Sequence, residues 1–227
     1  TEVIKNSFNN FNQRVYTDEE IMARLAEKNE NKQLCRKYLE MAEKTKKSFA
    51  EKFYNEEKHC LYDVLGDSKV RPNQLFALSL SHPIVDNAEI AEQVLNTVEN
   101  KLLNRYGLQT LSSDEDGYVD VYEGSAYNRD SSYHQGITWP WLSGLYYDAL
   151  KNTMIIEKNR TKRQELEEKI TKLVDTTKET FKAEMFERSS IGTISEIYDS
   201  TEPYEERGAF AQAWSVAEIF RIVLNKR

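Results

Sequence analysis

The sequence predicts an all-α fold built from three helical hairpins, and three observations carry that expectation. The 227 residues include only 8 Gly and 4 Pro, so helix breakers are scarce. Three long segments gather their apolar residues on one face at helical spacing. Three shorter segments, one after each long one, are apolar nearly all round, and a helix without a polar face should be buried on most sides.

The first long segment runs from Asn29 to Phe53 and lines up Leu34, Tyr38, Met41, Ala42, Thr45, Phe49 and Phe53. The second, Asp86 to Tyr106, lines up Ile90, Val94, Val98 and Leu102. Asp86, with Glu89 three residues on, reads as its N-cap. The third, Arg160 to Phe186, lines up Leu166, Ile170, Leu173, Val174, Thr177 and Phe181. The charged residues opposite these stripes read as a solvated face. The apolar segments are "NQLFALSL" (73–80), "ITWPWLSGLYYDALKN" (137–152) and "FAQAWSVAEIFRIVL" (210–224). The order is outer, inner, outer, inner, outer, inner, with residues 1–28 expected to be an irregular lead-in. No fixed-period repeat recurs, which argues against a solenoid.

Composition narrows the function classes. At 39% hydrophobic and 30% charged residues, residues 1–227 can bury a core and form one large domain. A net charge of −7 disfavours a non-specific nucleic-acid binder, which needs a basic face. Cys35 and Cys60 form no disulfide framework and suit a reducing, cytoplasmic compartment. No apolar run approaches the roughly 20 residues that span a bilayer, so no membrane association is expected. No signal peptide is legible. The chain begins at "TEVIKNSF" without Met, as a piece of something longer would.

Function should sit in the uneven connections, because each leads into the N-terminal end of an inner segment. Before the first, Arg71 precedes Pro72, Asn73 and Gln74. Alone, Arg71 could pair with a loop carboxylate, but its planar fork of donors also suits sugar hydroxyls. Before the second, "YNRDSSYHQGITWPW" concentrates Tyr127, Arg129, Asp130, Tyr133, His134, Gln135, Trp139 and Trp141. A single Trp here reads as core. The combination, with polar tips that need partners, reads as the lining of a pocket for something flat-sided and hydroxylated, such as a pyranose. Before the third, Glu196 and Asp199 could be solvated carboxylates, or Glu196 could hold and deprotonate a water at a pocket mouth, with Gln212 and Trp214 in the following turn. Only three His are present (His59, His82 and His134), in separate segments, so no metal site is expected. No phosphate loop or Ser or Cys nucleophile motif appears.

These stretches together resemble the C-terminal part of the glucosidase domain of glycogen debranching enzymes. "RPNQLFALSL", "RDSSYHQGITWPWL" and "SEIYDS…RGAFAQAWSVAEIFR" match in wording, order and approximate spacing, and "LYDVLGDSKVRPNQ" and "YGLQTLS" also fit. The resemblance implies an (α/α)6 toroid, of which this chain is about half. It implies an amylo-α-1,6-glucosidase of glycogen catabolism: a glycoside hydrolase that inverts at α-1,6 branch points without metal or organic cofactor. It puts Glu196 in the place of the catalytic base. Arg71, Asn73, Gln74, Arg129, Asp130, Tyr133, His134, Gln135, Trp139, Gln212 and Trp214 take the substrate-binding positions. Inversion needs a carboxylic acid and a carboxylate roughly 6.5–9.5 Å apart. Nothing before Arg71 resembles the family's acid segment, so the acid is expected upstream of residue 1 and this chain alone is expected to be inactive. The implied partners are a glycogen-type oligosaccharide and either the missing N-terminal half or a second copy of the chain. Another toroid glycosidase, such as a trehalase, and a non-catalytic carbohydrate-binding helical module are the alternatives.

Overall fold

The computed structural model describes residues 9–188 and 191–224. Its helices are α1 (Asn9–Lys28), α2 (Lys32–Phe53), the single turn α3 (Phe76–Ser79), α4 (Ala88–Lys101), α5 (Ala126–Ser132), α6 (Leu142–Ile156), α7 (Arg160–Glu187) and α8 (Ala213–Leu224). A 3-10 turn, Pro72–Leu75, leads into α3. The strands are two or three residues long: β1 (Tyr54–Asn55), β2 (Cys60–Leu61), β3 (Leu103–Asn104), β4 (Gly107–Gln109), β5 (Thr138–Trp139), β6 (Ile197–Tyr198) and β7 (Glu206–Arg207).

The expected lead-in is a helix from Asn9 onward; residues 1–8 lie outside the described residues. The reason it escaped notice is chemical. The face that α1 buries is made of Ala23, Ala26, Gln13 and Glu19 rather than of large aliphatics. Gln13 is fully buried; its amide donates to the His82 carbonyl and its oxygen accepts from the Ile84 N–H. Glu19 accepts from the Thr45 hydroxyl on α2. Small residues let α1 and α2 approach closely, and hydrogen bonds satisfy what they bury. Glu30 takes a left-handed φ of 57° in the tight turn between them, and Asn31 caps α2 by accepting from the Leu34 N–H.

The helices form two layers. An inner row runs α1, α3, α6, α8, each packed on the next, while α2 covers α1, α4 covers α6, and α7 covers α6 and α8. The alternation of inner and outer elements thus holds, with an additional inner helix at the front. The main core lies between the layers, around Leu75, Leu78, Val94, Val98, Leu108, Ile137, Tyr147 and Leu150. A smaller cluster of Tyr106, Phe181, Ile194, Tyr198 and Ile219 sits under the last connection.

Four details correct the expectation. The fold is mostly helical rather than all-α, since β3 to β7 form a five-stranded antiparallel sheet in sequence order. The second inner segment does not start as a helix at 137: Thr138 and Trp139 pair with Gln109 and Leu108, and α6 begins at Leu142. Asp86 is not a cap; Asn87 accepts from the Glu89 and Ile90 N–H groups, and Asp86 pairs with Lys46 instead. Finally, α8 is not buried all round. It hides Ser215, Ile219 and Ile222, while Trp214, Phe220 and Leu224 are 44%, 44% and 74% exposed.

The sheet brings the second and third functional connections side by side, and Arg71 ties the first to them. Leu108 pairs with Trp139, Thr138 with Tyr198, and Tyr198 with Glu206. The approach at Gly107 is close: a Cβ there would lie 2.4 Å from the Trp139 carbonyl oxygen, and its φ of +145° is one that side chains rarely adopt.

Candidate functional site

A cleft of about 350 Å³ opens beside β5 and the start of α6, within the range of small-ligand sites. Its wall combines Arg71, Asn73, His134, Trp139, Trp141 and Trp214 with Pro72, Thr110 and Leu142. Residues from all three connections therefore meet there, although they are up to 143 positions apart in sequence (214 − 71).

The aromatic residues form one continuous set. His134 stacks on Trp139 with centroids 5.3 Å apart and planes 13° from parallel. Tyr133 and Trp214 meet Trp139 edge-on, and Trp214 stacks on Trp141. Trp139 is only 4% exposed, and its indole N–H donates to the Tyr133 carbonyl. It supports the wall more than it presents a face. Trp214 and His134 are the exposed rings. Burial, followed by the nearby Arg71 guanidinium, lowers the His134 pKa, which favours a neutral imidazole able both to accept and to donate.

Arg71 holds the wall together. Its guanidinium donates to the Thr110 and His134 carbonyls and to the Gln135 side chain, at 3.1, 2.8 and 2.9 Å. Asn73 donates to the Asp63 carboxylate, whose pKa burial raises against the opposing effects of Asn73 and Arg71. Gln74 faces inward: fully buried, it accepts from the Leu61 N–H and donates to the Arg71 carbonyl. Both ends of its amide are used inside the protein, so it shapes the Arg71 turn and does not line the cleft. Arg129 and Asp130 are exposed on α5 and also lie outside the cleft lining. Arg129 donates to the Gly124 carbonyl.

Glu196 stands one residue layer away from the lining. One carboxylate oxygen accepts from the Tyr133 hydroxyl at 2.7 Å and the Gln212 amide at 3.3 Å. The other accepts from the Ala209 N–H at 3.1 Å. Tyr133 in turn touches Trp139, so the carboxylate is tied to the aromatic wall by one side chain. Burial and the Glu196 carboxylate raise the Tyr133 pKa, which keeps its hydroxyl a donor. A Cβ at Gly208 would come within 2.4 Å of Glu196, so the loop grips the carboxylate closely.

Asp199, three positions further along that loop, is structural. It is 3% exposed, binds Arg207 through two N–H groups at 3.0 and 2.8 Å, and accepts from the Tyr122 N–H at 2.8 Å. Thr110, Pro72 and Leu142 were not anticipated as wall residues. Thr110 was findable, because "YGLQTLS" lies next to the strand that pairs with "TW". No group of three or more His, Cys, Asp or Glu among the described residues could hold a metal ion. No helix among them is long and apolar enough to cross a membrane.

A solved structure described as a sialidase resembles this fold with a TM-score of 0.67 at 12% identity. The match covers 94% of this chain and 19% of that one, so the chain spans about a fifth of that protein's length. At that identity the likeness concerns the fold alone. The model of a family described as amylo-alpha-1,6-glucosidase matches residues 10–221. A match over nearly the whole chain, on the connections that build this cleft, places the protein in the amylo-alpha-1,6-glucosidase family.

Proposed function

We propose that this chain is the base-bearing part of an (α/α)6 toroid that hydrolyses α-1,6-linked glucose at glycogen-type branch points with inversion. The observation that carries the reading is the carboxylate of Glu196, held by Tyr133, Gln212 and the Ala209 N–H beside an aromatic cleft. Such a group, fixed on both oxygens, can orient a water and take its proton as the sugar–oxygen bond breaks. The rings of Trp214 and His134 suit the apolar face of a pyranose, while the Asn73 amide offers a polar group to its hydroxyl rim.

The cleft lining includes no carboxylate. The acid that protonates the leaving oxygen therefore comes from a segment outside this wall. The inner row also has two apolar edges. Ile21, Met22 and Leu25 of α1 are exposed at one end, and Trp214, Phe220 and Leu224 of α8 at the other. Edges of that kind suit the rest of a ring, whether another part of the protein or a second copy. On this reading the 227-residue chain binds maltooligosaccharides weakly and hydrolyses none.

The deciding experiment replaces Glu196 by Gln in a protein carrying the whole toroid, with a phosphorylase limit dextrin as substrate. Hydrolysis should fall by about 10²–10⁴ while dextrin affinity is largely kept. Near-normal turnover would reduce Glu196 to a loop carboxylate.

A further inference from the structure

A second cavity, of about 300 Å³, lies on the other flank of the first turns of α6, between α4, β3 and α7. It shares no lining residue with the aromatic cleft. Three cations line it, Arg105, Lys169 and Lys172, against one carboxylate, Glu99. Lys169 is committed: it pairs with Glu99 at 2.5 Å and donates to Asn96 at 2.7 Å. Among the described residues Arg105 and Lys172 have no carboxylate within ion-pairing distance, and Arg105 lies over the Tyr106 ring.

The floor gives an independent sign. Tyr146 is 1% exposed, yet among the described residues its hydroxyl makes no hydrogen bond of normal geometry. The Glu99 carboxylate is near enough to help burial hold the phenol proton on, but not placed to accept it in normal geometry. A buried hydroxyl without a partner costs about 1–3 kcal/mol, and native proteins leave few. Ser143, also buried, adds a second hydroxyl to the same lining.

We propose that this cavity binds a phosphate-type oxyanion, with Tyr146 and Ser143 donating from the floor and Arg105 and Lys172 pairing at the rim. Glu99 does not forbid an anion, because Lys169 already neutralises it. An oxyanion offers several acceptors to convergent donors, and charge-assisted hydrogen bonds are the strong ones. The source of the group could be inorganic phosphate or a phosphorylated hexose, and the same chemistry would hold either.

The test titrates the 227-residue chain with inorganic phosphate, a hexose phosphate and the neutral hexose, by calorimetry at fixed ionic strength. Saturable binding of a phosphate-bearing ligand, with none for the neutral hexose, is expected. Tighter binding of the hexose phosphate identifies a sugar phosphate as the ligand, and equal binding identifies the free anion. Reversing the two rim charges together (Arg105→Glu with Lys172→Glu) should weaken binding tenfold or more, with the circular dichroism spectrum unchanged. Tyr146→Phe should weaken it several-fold without lowering the melting temperature, because the hydroxyl it removes makes no hydrogen bond of normal geometry in the free protein. No saturable binding of either anion would overturn the proposal. So would affinity indifferent to both the rim and the floor substitutions, which is what a buried water under Tyr146 would give.

Discussion

Glu196 and Asp199 are three positions apart on one loop, and the structure gives them opposite dependences. Asp199→Asn keeps the shape of the side chain but removes its charge. Its amide nitrogen must then face either the Arg207 guanidinium or the Tyr122 N–H, both donors. Breaking a buried ion pair costs about 3–5 kcal/mol. The Arg207 side chain is 31% exposed, so water relieves part of its loss, and about 2–3 kcal/mol is the appropriate figure. For a domain of this size that lowers the melting temperature by about 5–10 °C. Glu196→Gln should behave differently. Two of its partners, the Tyr133 hydroxyl and the Gln212 amide, can turn to accept from the new amide while its oxygen keeps the Ala209 N–H, so its melting temperature should stay within about 2 °C of wild type. Melts of both variants followed by circular dichroism at pH 7 make the comparison. If Asp199→Asn melts with the wild type, the carboxylate is not holding β6, β7 and the 119–122 segment together, and the structural role assigned to it is wrong.

Three further outcomes follow from the same packing. Trp214→Ala should weaken dextrin binding with little loss of stability, since the ring is 44% exposed, whereas Trp139→Ala, at 4%, should cost about 3–5 kcal/mol of stability; paired melts and titrations that reversed this order would place the sugar face on Trp139. Burial and a proton shared with Glu206 raise the Glu184 pKa from 4.5 to about 7. The folded chain then holds a proton that the unfolded chain has released, so stability should fall as pH rises from about 4.5 to about 7, and Glu184→Gln should flatten that segment of the stability profile. Light scattering should find the chain as a dimer or larger, against a chain mass of 26.5 kDa, because of its two apolar edges; a stable monomer at that mass would mean that neither edge needs a cover.

The long outer helices were legible because water dictates their pattern: one side is solvated, so the stripe of Val94, Val98 and Leu102 repeats at helical spacing and is buried as expected. What was hidden is what water does not pattern. α1 packs through Ala23, Ala26 and hydrogen-bonded Gln13, a face that hydropathy reads as nondescript. The sheet was hidden for another reason. Its strands are two or three residues long, too short for any period-2 alternation to register, and they are held by partners distant in sequence. The exposed flank of α8 shows the converse limit, since apolar character on every side signals burial only when there is a neighbour on every side.

The site shows a similar division between chemical type and chemical role. Residue types and the family resemblance pointed to Arg71, His134, Trp139 and Trp214 together, and the structure brings these four to one cleft. They could not say which member faces outward. Gln74 and Gln135 carry the same side chain, yet Gln74 is consumed by Leu61 and Arg71 deep inside, whereas Gln135 accepts from Arg71 at the wall. The same holds for the carboxylates of the last loop. Asp199 meets an arginine and is fixed as a strut, while Glu196 meets a phenol, an amide and one backbone N–H and pairs with no cation among the described residues. Neutral donors orient a carboxylate without cancelling its charge, so its negative field remains available to a water and to the positive charge that develops on the sugar as the bond breaks. On the proposed reading, that difference in partners, created by long-range contacts such as Tyr133 to Glu196, is what separates a base from a brace on the same loop.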